Sequence, residues 1–196
     1  MRITPWLVAA LLIFSAWRLY STRDVEHSPG VLATAAPVQR AIGPGTAIEH
    51  GEYVLWPRAE FEATVRVLRR EDYSFGELAD LVPTDFAVGW GPMSDTAVLE
   101  QIEISQSNRF YFWRTRTWPI DRRQIETHSA NWHVIPGNDA VRAVLRRVRV
   151  GNLVELRGQL VDVEARGGGM RTSLSRDDTG AGACEILLAA SARLIQ

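Results

Sequence analysis

Alternation of apolar and polar residues organises most of the chain. Its clearest run is Val150 to Glu164, VGNLVELRGQLVDVE. Val154 and Leu156 alternate with Glu155 and Arg157, the period of two that a strand shows when one face is buried and the other wet. Gly158 interrupts the pattern, and beyond it the apolar positions are Leu160, Val161 and Val163, so the parity changes. A long strand with a glycine and a parity change predicts a bend or bulge in a curved sheet or small barrel. Val154, Leu156 and Leu160 are expected inward, with Arg157 wet.

A second clean strand spans Phe61 to Leu68, where Phe61, Ala63, Val65 and Val67 alternate with Glu62, Thr64 and Arg66. A short strand at Val54–Trp56 is expected to end at Pro57, and Arg69–Asp72 to lead out to solvent. Tyr73–Asp80 reads as a helical turn or a cover for the mouth of a sheet. Glycines and prolines in VPTDFAVGWGPMSD (82–95) preclude a regular helix and leave room for a short extended segment. Phe110–Trp113 is an aromatic strand candidate. Ser94 is placed to cap a helix starting at Asp95, and Asn138 one whose stripe is Val141, Val144, Leu145 and Val148. Residues 166–169 predict a hairpin, 170–174 its return, 175–182 a polar turn, and Cys184, Ile186 and Leu188 a last strand. The fold class is therefore mainly β (α+β): a small, partly closed antiparallel barrel or curved sheet with short helices.

The amino terminus departs from this alternation. Ile3 to Trp17 is apolar apart from Thr4 and Ser15, between Arg2 and Arg18. With Leu19 and Tyr20 it reaches the roughly 17 to 25 residues of a spanning helix, and Trp6, Trp17 and Tyr20 suit its interfaces. Phe14 spoils the small-residue pattern of a cleavage site. The expectation is an uncleaved signal anchor or transmembrane helix over 1–20, a flexible linker over 21–46 rich in proline, glycine and alanine, and a single β-rich exported domain over 47–196. The lipid bilayer is then one partner, and an envelope protein a candidate second. In a bacterium this means a single pass through the inner membrane with the main domain in the periplasm.

Composition narrows the chemistry. The net charge of -1 gives no polycationic signal for nucleic acid. Every basic residue of the Lys/Arg class is arginine, which excludes a lysine Schiff base. Cys184 is the only cysteine, so no intrachain disulfide forms. No cofactor is implied, and oligomeric state leaves no mark in the pattern.

Three stretches carry candidate chemistry. THSANWHVIPGNDA (127–140) holds His128, Asn131 and His133, and two imidazoles are able to bind a transition metal or exchange protons near neutral pH. The spacing is not the metalloprotease helix pattern, no third ligand follows locally, and structural histidines are the plainer account. Trp90, Trp113, Trp118 and Arg114 form a candidate ligand-facing rim, since aromatics among arginines stack on bases or sugars; a half-buried strand with polar neighbours explains the same pattern. In SRDDTG the adjacent Asp177 and Asp178 point oppositely if extended, so a solvated loop is the stronger reading.

GWGPMSD (89–95), HSANWHVIP (128–136) and SRDDTGAGAC (175–184) resemble segments of an uncharacterised group of bacterial membrane-anchored exported proteins, to which no catalytic residue attaches. The order helix, VGNLVELRGQLV, hairpin, final strand is similar to small β barrels of the OB type, and such topology does not confer nucleic-acid binding. The leading expectation is a non-enzymatic, membrane-tethered periplasmic interaction or accessory protein. One alternative is a metal-dependent hydrolase using His128 and His133. The other is a glycan or nucleic-acid binding module using Trp113, Trp118 and nearby arginines.

Overall fold

A computed structural model describes residues 6, 8, 23–43, 45–76, 78–180 and 182–195. Among them the strands are β1 (Val38–Ala41), β2 (Ile48–His50), β3 (Tyr53–Asp72), β4 (Thr84–Gly89), β5 (Ile102–Ser107), β6 (Phe110–Thr115), β7 (Ser129–Pro136), β8 (Leu153–Ala165), β9 (Gly168–Met170) and β10 (Glu185–Ile195). Three short α-helices interrupt them: α1 (Thr96–Leu99), α2 (Arg122–Thr127) and α3 (Asp139–Leu145). The main sheet runs β1-β3-β4-β7-β10-β8-β9, with β2 also on β3, and β5–β6 is a separate hairpin.

The two expected strands at 54–56 and 61–68 are one strand of 20 residues. Pro57 does not end it, because the pairing with β8 shifts register between Pro57 and Ala59, and a bulge tolerates a residue without an N–H. Arg69–Asp72 stays in the strand and pairs with Thr84–Ala87 of β4. The same strand therefore holds β8 over Val54–Arg66 and β4 over Arg66–Asp72, which curls the sheet. The curled inner face carries Phe61, Ala63, Val65, Phe86, Trp132, Val154, Leu156, Leu160 and Leu187.

Val154, Leu156 and Leu160 are fully buried on this face, and Arg157 is exposed. The parity change after Gly158 has a different cause from a bend. Val161 and Val163 turn outward into a second core with Leu55, Leu78, Leu81, Ile135 and Ile186. Past the glycine the strand is thus buried on both faces, and the 73–83 segment is the cover. A third cluster, with Leu68, Ala87, Met93 and Ile125, lies under the β5–β6 hairpin.

Residues 23–43 run along this domain. Val25 N–H donates to Val150 O at 2.8 Å, Gly91 N–H to Ala33 O at 2.7 Å, and Ala33 joins the main core. Ser94 serves this segment as well, accepting from Leu32 and Ala33 N–H at 3.1 and 3.0 Å. Asp95 takes the capping role expected of Ser94: its carboxylate accepts from Ala97 N–H at the start of α1.

Two expectations are corrected. The expected antiparallel barrel or curved sheet is corrected to a mixed sheet, because β10 pairs parallel to β7. The membrane helix at 1–20 falls outside the described residues apart from 6 and 8, and no helix among the described residues is long and apolar enough to cross a membrane. The signal anchor, the bilayer as partner, the single inner-membrane pass and the periplasmic placement accordingly have no structural support.

Gly158 leaves no room for a side chain against β10: a Cβ there would meet Leu188 O at 2.0 Å. Gly158→Ala is expected to lower the unfolding free energy by about 1–3 kcal/mol through forced displacement of β10. Urea denaturation of both proteins measures the difference, and equal midpoints would contradict the tight approach.

Candidate functional site

The β5–β6 hairpin turns at Asn108 and Arg109, both at positive φ (53° and 69°), the conformation a two-residue hairpin turn demands. Its tip is pinned to the sheet. The Arg109 guanidinium lies 3.7 Å from the centre of the Tyr73 ring and donates to Asp85 Oδ1 at 3.1 Å. His133 Nδ1 hydrogen-bonds the same oxygen at 2.8 Å. Asn131 Nδ2 donates to Arg109 O at 3.0 Å, and its Oδ1 accepts from Gln106 Nε2 at 2.7 Å. Asp85 is fully buried, so this charge-assisted cluster fixes the hairpin over β4 and β7.

Beside the hairpin lies a cavity of about 360 Å³. Register creates it. β10 begins at Glu185, opposite Trp132, so no strand among the described residues flanks Ser129–Asn131 on that edge of β7. Phe110 and Phe112 of β6 stand at its rim, with Trp90, Tyr111 and Trp113 deeper. The loop before β10 lines the far side with Arg176, Asp178 and Cys184.

Glu185 is the unusual member of this lining. It is only 2% exposed. Arg176 pairs with its Oε1, while Oε2 has no hydrogen-bond partner among the described residues. Burial pushes the carboxyl up to about 7, and Asp178 adds to the rise, against the opposing pull of Arg176. Arg176 is itself engaged twice more, donating to Gln39 Oε1 at 2.5 Å and standing 5.5 Å from the centre of the Phe61 ring. Cys184 is no ready nucleophile, since burial pushes its thiol up to about 11. Tyr111 Oη and Ser129 Oγ are 3.0 Å apart, and Ser129 donates onward to Ile125 O at 2.6 Å.

Trp90, Trp113 and Asn131 line the cavity. The other sequence candidates lie elsewhere. His128 caps the carboxy end of α2 and stands over Gly91, where a Cβ would come within 2.8 Å of its ring. His133 is committed to Asp85. Trp118 is 58% exposed and meets Trp113 edge-on at 6.0 Å. Arg114 pairs with Glu103 at 2.6 Å on the solvent side of the hairpin.

These placements correct two functional expectations. No group of three or more His, Cys, Asp or Glu among the described residues is able to hold a metal ion, which removes the basis of the metal-dependent hydrolase. The glycan or nucleic-acid surface fails on charge and packing. Arg114, Arg122 and Arg123 are neutralised by Glu103, Glu126 and Asp177, and Trp113 packs inward against the cluster under the hairpin.

Glu185, Arg176 and Asp178 were not among the sequence candidates. The available signal was a carboxylate opening an otherwise apolar strand, ILLAA, in step with the inward Leu187 and Ala189.

No family model, curated protein or solved structure matches this chain. No relative supports the resemblance to membrane-anchored exported proteins or the similarity to OB-type barrels. The expectation of a membrane-tethered periplasmic accessory protein rests on a segment outside the described residues, and no helix among the described residues is long and apolar enough to cross a membrane.

Two outcomes follow for stability. Glu185 has a folded pKa above its ordinary 4.5, so its contribution is fully present below pH 4.5 and is lost as pH rises to about 7. The unfolding free energy of the natural protein minus that of Glu185→Gln is expected to fall by roughly 3 kcal/mol across this window; a flat difference in a pH series would contradict the buried carboxyl. Asp85→Ala strands Arg109 and His133, and is expected to cost about 3–5 kcal/mol in chemical denaturation. A loss below about 1 kcal/mol would show that the cluster does not hold the hairpin.

Proposed function

We propose that this domain binds a small organic molecule in the cavity beside the unflanked edge of β7. The observation that carries this reading is Glu185 Oε2, a buried acceptor without a partner on a residue that lines a preformed space. Most buried polar atoms are hydrogen-bonded, and leaving one unsatisfied costs about 1–3 kcal/mol. A ligand that donates to this oxygen recovers that cost on binding.

The surroundings support the same reading. The volume falls at the lower end of the usual range for small-molecule sites, and an apolar, aromatic wall with a few fixed polar groups is their usual chemistry. The wall is also well braced. Tyr111 and Trp113 pack on the cluster under the hairpin, and the Asp85 contacts hold the hairpin tip. Rigid walls lose little entropy when a ligand enters.

Protein-observed NMR with a set of small aromatic fragments tests the proposal. Binders are expected to perturb the Trp90 indole, the Asn131 side-chain amide and the backbone of Ser129–Asn131 and Glu185 together. They are also expected to slow alkylation of Cys184 by iodoacetamide. Ala183→Trp places a large side chain in the cavity wall and is expected to weaken binding at least about tenfold, roughly 1.4 kcal/mol. Scattered shifts, unchanged alkylation and full binding by Ala183→Trp would overturn the reading.

A further inference from the structure

We infer that the cavity selects an organic cation, with an ammonium group donating to Glu185 Oε2 beside Asp178 and an apolar or aromatic body against Trp90, Phe110 and Phe112. The inference rests on the reading of the cavity as a binding site and names the chemistry it accepts.

Charge accounting comes first. Three carboxylates line the cavity: Glu126, Asp178 and Glu185. Two guanidiniums line it with them, and both are engaged: Arg122 with Glu126 at 2.7 Å, and Arg176 with Glu185. Asp178 makes no ion pair among the described residues and accepts a single hydrogen bond, from Ser173 Oγ at 2.6 Å. With Glu185 ionised, the wall therefore carries one carboxylate beyond its cations. An anionic ligand would meet that excess with no free guanidinium to receive it. A cation would offset it.

Hydrogen-bond accounting agrees. The unpartnered buried atom in this wall, Glu185 Oε2, is an acceptor on an ionisable side chain. Arg176 donates through Nη1 to Glu185 Oε1 and through Nη2 to Gln39 Oε1, and none of its N–H groups bonds Oε2. An ammonium brings donors and charge at once, and bonds to ionised groups are the stronger class.

Aromatic geometry gives the third, independent argument. Phe110 and Phe112 stand with ring centroids 6.5 Å apart at the rim, and Trp90 lies further in. Aromatic faces attract cations through their quadrupole, most strongly where water is excluded. A carboxylate at the inner end and ring faces along the approach suit a head group and its attached carbon body in a single orientation.

Three ligands with one aromatic body and different head groups test the inference on the full chain: phenethylammonium, 2-phenylethanol and 3-phenylpropionate. Kd values come from calorimetry, with NMR placing each ligand. Phenethylammonium is expected to bind at least about tenfold more tightly than the alcohol, and the carboxylate most weakly. Glu185→Gln is expected to reduce the preference for ammonium over alcohol to less than about threefold. Asp178→Asn, in the polar loop, is expected to weaken ammonium binding about threefold or more while leaving the alcohol unchanged; it carries the test if the Glu185 variant does not fold. Equal affinity of ammonium and alcohol at the cavity would overturn the cation inference and leave the binding site standing. Failure of all three, together with the aromatic fragments, to perturb any cavity resonance would overturn both.

Discussion

The fold depends on one strand remaining continuous for 20 residues. β3 pairs with β8 along Val54–Arg66 and with β4 along Arg66–Asp72, and β1 adds to it at Ala59–Glu62. Two register shifts, between Pro57 and Ala59 and between Val67 and Arg69, let so long a strand turn with the sheet. Its inward residues then face those of β4, β7, β8 and β10 within one core. A break at Pro57 would leave Leu55 and the second core without their link to the first. Because both edges of β3 are used, the strand tolerates little sliding: a slip of one residue would reverse the alternation from Phe61 to Val67.

The candidate site follows from the same topology. β7 and β10 are parallel neighbours, so the chain must travel from one end of the sheet to the other between them. It does so through α3, β8, β9 and the loop that ends at Glu185. That return reaches β7 only at Trp132. The first three residues of β7 consequently border a space, and the β5–β6 hairpin forms its opposite wall. The hairpin holds its position because Arg109 and His133 share the buried Asp85. A cluster with the appearance of a catalytic dyad in isolation thus has a mechanical role: it braces one wall of the cavity.

Local alternation made much of the scaffold legible. Val154, Leu156 and Leu160 are inward and Arg157 is outward, as the period of two requires. The helix capped by Asn138 forms, with Val141 N–H donating to its side chain at 2.9 Å. Alternation fails where both faces are covered. Ser129–Pro136 is buried at every position, so no alternation marks it as a strand, although it forms one. Val161 and Val163 suggested a bend for the same reason: Tyr73–Asp80 reads as a cover, but no local signal sets Leu78, Leu81 and Val82 against the outer face of β8. The site was legible only in part. Trp90, Trp113 and Asn131 drew notice by residue type, whereas Glu185 acquires its character from Arg176, from the late start of β10 and from burial, none of which spacing reveals.

Glu185 also shows why a scaffold this consistent points to a ligand at one place. Along β3 and β8 the local pattern, pairing and packing agree, as expected when a sequence specifies one structure. At Glu185 they conflict. Its position in step with Leu187 and Ala189 calls for an apolar residue, and a glutamine there would keep the shape without the cost of burying charge. Arg176 offsets only part of that cost, since the carboxyl still rises to about 7. Asp178 adds repulsion to Glu185, although it also accepts a hydrogen bond from Ser173 Oγ. The uncompensated acceptor and the extra negative charge become favourable only when a cation occupies the space between the loop and the hairpin.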